Sequence, residues 1–200
     1  MNIKNRIVTY FKTKSPFRIT TDLLFYLLIL SLILPFSRKY VATGLNKAIM
    51  HRPAIIPEEK QEILAVADYD WILLDMEGQK VSFSHFQDEY VFISFWATWC
   101  PPCRAEMPNI QNLYNEYGSK ISFVLVSHEE NNVLNRYLDQ NRFDMPVYRM
   151  VENPPKILQS SSIPTTYLID RDGRMIVKKT GAAKWDGRFF KEYLSSKLAK

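Results

Sequence analysis

Hydrophobic and polar positions divide the chain into three stretches of different pattern. Leu23 to Phe36 is a 14-residue uncharged apolar run. From Arg38 to Arg52 the apolar positions Val41, Leu45, Ala48 and Ile49 recur at helical spacing among polar residues, which fits a short amphipathic helix on a membrane surface or a helical stalk. Pro53 and Pro57 end it, and Glu58 to Ala67 reads as a linker or docking helix. Beyond Asp68 short strand and helix patterns alternate. Trp71–Leu74 and Val81–Phe83, joined by a turn at Met76–Gln79, predict a β-hairpin. Tyr90–Trp96 and Ile121–Val126 are continuous apolar runs, as buried strands are. Pro101–Tyr117, stopped by Gly118, and Asn131–Asn141 read as helices, and Lys156–Gln159 as a short one. Thr165–Ile169 and Met175–Thr180, around the turn Arg171–Arg174, form an antiparallel pair that Gly181 breaks. Asp186 is the expected N-cap of a last helix reaching about Leu198. The order, a hairpin, then βαβα, then ββα, predicts an α/β domain with a mixed sheet covered by helices over 68–200.

Charge sharpens the N-terminal reading. The net charge of +5 is uneven: residues 1–60 hold ten Lys/Arg against three Asp/Glu, and residues 61–200 hold 16 against 18. The folded domain is slightly acidic, which disfavours nucleic acid as a partner. Residues 19–37 lie between Arg18 and Arg38 with Asp22 as their one charge. Tilt and snorkelling arginines let such a segment span a bilayer. A cleaved signal peptide is the alternative, but Ser37–Thr43 offers no small-x-small site, and no cysteine follows for a lipid anchor. The expected organisation is a cytoplasmic basic tail (1–18), a transmembrane anchor (19–37), a juxtamembrane stalk (38–67) and an outward-facing domain (68–200).

The candidate chemistry sits in Phe95-Trp-Ala-Thr-Trp-Cys-Pro-Pro-Cys-Arg-Ala-Glu-Met-Pro108. It puts Cys100 at the step from strand to helix, where free N–H groups and the helix dipole stabilise a thiolate. A thiolate attacks disulfides. The i, i+3 spacing holds Cys103 on the same face to resolve the mixed disulfide. Pro101 and Pro102 stiffen the first turn, which tolerates their missing N–H groups. A zinc site wants two more ligands, yet the chain has only two cysteines, and His51, His85 and His128 are not at ligand spacing. No metal or other cofactor is expected beyond a redox-active Cys100–Cys103 disulfide. Ser162-Ile163-Pro164-Thr165 places a proline at a strand start, as a cis X–Pro bond would be, offering the Ile163 backbone to a peptide; an ordinary trans turn proline is the alternative.

These motifs, with Asp70–Phe86 as an extra N-terminal hairpin, Ile163-Pro-Thr-Thr-Tyr-Leu-Ile-Asp170 and Thr180-Gly181, resemble the TlpA/ResA/CcmG type of the thioredoxin superfamily over about residues 68–200. The resemblance implies a thioredoxin fold and a membrane-anchored thiol–disulfide oxidoreductase. It would be a reductase on the periplasmic side of the bacterial inner membrane, acting on exported proteins including apocytochromes c. A membrane thiol carrier of the CcdA/DsbD kind would supply electrons. By matching position Cys100 is the nucleophile and Cys103 the buried resolving thiol. Trp99, Pro101, Pro102, Ile163, Pro164 and Thr165 would border the substrate. Ordinary thioredoxins keep a buried Asp six residues before the first cysteine, where this chain has Ser94. Glu106 matches an acid near the ResA-like site and is expected to shuttle protons or tune the thiols; the alternative is a solvated helix carboxylate. Phe92, Phe95 and Trp96 are expected in the core, Arg104 in solvent, and His128 as a helix cap. Running in reverse, the same site would be a thiol oxidase or isomerase. A Sco-like copper chaperone wants CxxxC and a placed histidine, and a peroxiredoxin wants PxxxTxxC; neither spacing is present.

Overall fold

The structure, a computed structural model, describes residues 15–33 and 50–199. The chain forms two compact units, residues 1–42 and 43–200. In the first unit the described part is one helix, α1 (Pro16–Ile33). Its side chains from Leu23 to Leu30 are all exposed, an apolar surface on every side. Among the described residues no helix is long and apolar enough to cross a membrane. Residues 34–37 of the expected anchor, and the amphipathic pattern as far as residue 49, lie outside the described residues.

The second unit is built on one seven-stranded sheet in the order β2-β1-β5-β4-β3-β6-β7. Its strands are β1 (Ile72–Leu74), β2 (Lys80–Ser82), β3 (Val91–Phe95), β4 (Ser122–Ser127), β5 (Val147–Met150), β6 (Thr165–Ile169) and β7 (Met175–Thr180). Three helices follow the predicted segments: α2 (Pro101–Tyr117), α3 (Asn131–Asn141) and α4 (Arg188–Leu198). β3, β4 and β5 run parallel, while β6 and β7 return antiparallel on one side and the β1–β2 hairpin on the other. This is a thioredoxin fold with an N-terminal hairpin.

The central strands are apolar throughout because both their faces are covered. β3 and β6 are buried at every position. Successive side chains alternate between two cores, as a pleated strand requires. Phe92 and Leu125 point into a cluster with Ile110 and Leu113 of α2, Leu134 of α3 and Phe190 of α4. Val91, Ile93, Val124 and Val126 point into the other, with Trp71, Phe83, Leu158 and Tyr167. All three helices thus contribute to one face, and 3-10 turns at Val66–Asp70, Phe83–Phe86 and Lys156–Leu158 help close the opposite one.

Strand β5 is absent from the sequence reading. Its Val-Tyr-Arg-Met pattern is short, and only Val147 is buried. Arg149 forms an ion pair with Glu130. Yet β5 joins the hairpin to the rest of the sheet. The cap expected at Asp186 is also corrected: Gly187 is the N-cap of α4, without a side-chain cap bond. Asp186 instead accepts a 2.9 Å hydrogen bond from the Asn112 amide, so its carboxylate is engaged by α2.

The β7 edge is not bare. The Ile56 N–H donates to Ile176 O (2.9 Å), Met175 to Glu62 O (2.8 Å) and Leu64 to Gly173 O (2.9 Å). Residues 56–64 cover an edge that would otherwise present unpaired backbone groups.

Two glycines have specific causes. A Cβ on Gly118 would sit 2.7 Å from the Tyr114 carbonyl oxygen, so the end of α2 admits no side chain. Gly181 has φ +80° and open space around it, and its N–H donates to Pro164 O at 2.8 Å. Gly181→Ala is expected to lower unfolding free energy by about 1 kcal/mol through backbone conformation alone. A fall in the urea midpoint with an unchanged slope is the measurement that checks it.

Candidate active site

The site forms where β3 hands over to α2. The Trp96 N–H continues the ladder to Val126 O at 3.0 Å, and the chain then turns through a Cys100 N–H to Ala97 O bond of 3.2 Å. Cys100 is the N-cap of α2 and the two prolines fill the next positions. They lack N–H groups where a helix would leave them unbonded, so the first free amide is that of Cys103. That amide points at Cys100 Sγ, 3.3 Å away. The same donor and the helix dipole stabilise negative charge on Cys100 once the pair is reduced. In this structure the two cysteines are joined in a disulfide, with Cα atoms 5.3 Å apart. Cys100 is 3% exposed and Cys103 is sealed at 0%.

The second side of the site is the Ser162–Thr165 loop. The Ile163–Pro164 peptide is cis. The Ile163 carbonyl oxygen lies 3.8 Å from Cys100 Sγ. The buried Thr165 hydroxyl donates to Ser162 O at 2.8 Å, tying down the loop. Ser94 is buried beneath, accepting a 3.0 Å hydrogen bond from Thr166 Oγ1 across the β3–β6 pair. Trp99 stands out at 69% exposure, while Pro101 and Pro102 are half-buried.

Glu106 settles the alternatives about its environment. It is 1% exposed, which excludes a solvated helix carboxylate. Oε2 accepts two 3.0 Å hydrogen bonds, from the Ala183 N–H and the Trp185 indole N–H. Oε1 is buried without a hydrogen-bond partner among the described residues. Burial pushes the Glu106 pKa up to about 8, while the two hydrogen bonds and the charge of Lys179 pull the other way. Desolvation wins because a half-bonded carboxylate in the core is poorly compensated.

Two further expectations change. Arg104 is half-buried, with its guanidinium over the Tyr137 ring at 5.8 Å. The aromatic face of Tyr137, itself packed on Trp96, draws the side chain off solvent. His128 is exposed and caps nothing; Glu130 is the N-cap of α3. Phe92, Phe95 and Trp96 are core residues as expected.

Glu129 is missing from the sequence reading. Its carboxylate receives the Thr98 N–H at 2.6 Å and the Thr98 hydroxyl at 2.7 Å. This clasp fixes the loop that carries Trp99 and Cys100. A lone acid after a strand carries no spacing signal, so only the fold brings it to Thr98. A cleft of about 290 Å³ is bordered by Trp99, Ile163, His128, Met150, Pro154 and Leu158, and it shares Trp99 and Ile163 with the surroundings of the disulfide without being lined by either cysteine.

A cysteine pair at a helix start, its first sulfur beside a peptide carbonyl and next in the chain to an exposed tryptophan, is built for dithiol–disulfide exchange. The AhpC/TSA family model matches residues 67–178. The chain belongs to the AhpC/TSA family. This family member is 32% identical over 129 residues to the thiol–disulfide oxidoreductase ResA of Bacillus thuringiensis subsp. konkukian (strain 97-27), covering 62% of this chain and 73% of that protein. To ResA of Bacillus subtilis (strain 168) it is 28% identical over 117 residues, covering 56% and 64%. Its fold matches the thioredoxin domain of a thiol–disulfide oxidoreductase from Bacteroides vulgatus with a TM-score of 0.53 at 19% identity, over 64% of this chain and 91% of that one. This AhpC/TSA protein is thus a redox enzyme, a thiol–disulfide oxidoreductase of ResA type. The PxxxTxxC pattern fits neither of its cysteines. Ile93 and Ala97 precede Cys100 where Pro and Thr would stand, and Trp96 and Cys100 precede Cys103.

Proposed function

We propose that this protein is a membrane-tethered reductase of disulfides in exported proteins, apocytochromes c among them. Cys100 is the attacking thiolate and Cys103 the resolving thiol. The observation that carries this reading is the asymmetry of the pair: Cys100 adjoins exposed Trp99 and the Ile163 carbonyl, whereas Cys103 is closed inside α2. The Cys100 thiolate attacks one sulfur of a substrate disulfide, forming a mixed disulfide and expelling a substrate thiolate. Cys103 Sγ then attacks Cys100 Sγ, forming the intramolecular disulfide and releasing the second substrate thiol. Two electrons pass from the protein to the substrate. A membrane thiol donor of the CcdA/DsbD kind returns them by the same exchange, and no further cofactor enters. Glu106, uncharged near neutral pH by its burial, is the proton carrier for the pair. Trp99, Pro101, Pro102 and Ile163 form the substrate border, while the buried Pro164 and Thr165 hold the Ile163 backbone in place behind it.

The exposed apolar side chains of α1 support residues 19–37 as the membrane anchor, since a helix that is apolar all round calls for a non-aqueous partner. Residues 1–18 then stay in the cytoplasm and the domain faces outward; of the expected 38–67 stalk, residues 51–64 are bonded to the domain itself. Ile163 before Pro164 is the residue type of the reducing proteins the chain resembles, which favours reduction over oxidation or isomerisation. Equilibration with glutathione buffers tests the direction. A Cys100–Cys103 potential near the thioredoxin value of about −270 mV is expected. A value near that of DsbA, about −120 mV, would reassign the protein to disulfide formation.

A further inference from the structure

Glu106 is held from outside its own helix. Both its hydrogen bonds come from the Ala183–Trp185 segment between β7 and α4. Trp185 is fully buried, with its ring edge-on to Phe92 at 5.0 Å and to Phe190 at 5.2 Å. The indole N–H therefore has a fixed direction, and it is spent on the carboxylate. The segment is itself pinned. Ala183 forms a parallel bridge with His51, and the Lys184 N–H donates to His51 O at 3.1 Å. The Arg52 guanidinium lies 4.7 Å over the Phe189 ring, and Pro53 is buried. Charged and titratable groups on the surrounding elements are Lys179 on β7, His51 across the bridge, Lys184 and Asp186 flanking Trp185, and the two cysteines earlier in α2.

We infer that Trp185 is a positioning residue of the redox site: its indole N–H, held by the His51-braced loop, orients the Glu106 carboxylate and stabilises its charged form, and so sets the pH at which that acid serves the thiols. This rests on the reading of Glu106 as proton carrier. A tryptophan at this place packs a core by its ring, but packing alone needs no donor directed at the one acid that is buried among the described residues. Removing the N–H while keeping a ring takes away a bond to the charged state only, so the acid should hold its proton to higher pH.

The test uses the full-length oxidised protein in detergent micelles, where neither cysteine titrates. Its four tryptophans are labelled with nitrogen-15, and the Trp185 indole signal is identified by its absence from Trp185→Phe. That signal should titrate with a single midpoint near the acid's value of about 8 and stay flat in Glu106→Gln. An indole signal that ignores pH from about 5 to about 10, or titrates unchanged in Glu106→Gln, overturns the inference without any need for Trp185→Phe to fold. In disulfide-exchange assays, Trp185→Phe should move the Glu106-dependent limb of the pH–rate profile up by about one unit. A Glu106→Gln profile that differs from wild type while Trp185→Phe matches wild type removes the role of Trp185 alone. Wild-type profiles in both variants remove the role of Glu106 as well.

Discussion

Cys100→Ser is expected to lower disulfide-exchange activity by about 10³-fold or more, to the background of the uncatalysed reaction. Cys103→Ser should behave differently, keeping the attack and losing its resolution. The structure gives the reason. The Cys103 amide, which donates to Cys100 Sγ at 3.3 Å, belongs to the backbone and survives replacement of the Cys103 side chain. Cys100 in that variant therefore remains at a helix N-cap with its thiolate stabilised. Having attacked a substrate disulfide, it has no neighbouring sulfur to displace it. The chain contains only two cysteines, so the product is a single defined adduct, a 1:1 mixed disulfide that persists on non-reducing gels and dissolves with dithiothreitol. Accumulation of that adduct in Cys103→Ser and its absence in Cys100→Ser is the expected pair of results. The reverse pattern would make Cys103 the nucleophile and would contradict its complete burial.

The parts of this site that were legible in the sequence are those made by neighbours in the chain. A strand, a turn and a helix start are written in consecutive residues, so Phe95 to Pro108 announced the strand-to-helix step at which the cysteines sit. Helices α2 and α3 coincide with the predicted segments because each has a run of suitable residues between clear stops. Contacts across the fold carried no such signature. Glu129 reaches Thr98 over 31 positions and Trp185 reaches Glu106 over 79. Neither pair has a spacing rule, and each residue alone suits an ordinary surface or core. Strand β5 was hidden for a related reason: Tyr148, Arg149 and Met150 are only half-buried, so the local pattern lacks the apolar continuity of β3 and β4. Glu106 lay between these cases. The resemblance pointed to it as an acid near the thiols, but only the β7–α4 loop closing over it shows that the carboxylate is dry.

That dryness has a measurable thermodynamic consequence. Stability of the oxidised protein should fall as pH rises from about 4.5 towards about 8, and Glu106→Gln should remove most of this dependence. In the unfolded chain Glu106 titrates near its ordinary value of 4.5, whereas in the fold burial lifts it to about 8. Below the lower value both states hold the proton and pH has no effect through this group. Between the two values the unfolded chain releases its proton while the native state keeps one, so the native state binds more protons and unfolding becomes easier as pH increases. Above about 8 both states are ionised and the dependence levels off. A shift of this size corresponds to a loss on the order of 5 kcal/mol across the window, or roughly 10–20 °C in melting temperature for a domain of this size. Working with the disulfide intact removes the thiols from the titration, and the lesser shifts of Glu116 and Lys191, a surface ion pair, act outside the core. A Glu106→Gln protein whose melting temperature still falls through the window as steeply as wild type would show that the carboxylate is not held uncharged in the fold. A flat profile would show that the enzyme keeps a neutral acid three residues from its buried thiol at the cost of stability in alkali. On the proposed role of Glu106, that is the state that would give a proton to the Cys103 sulfur when the disulfide is reduced.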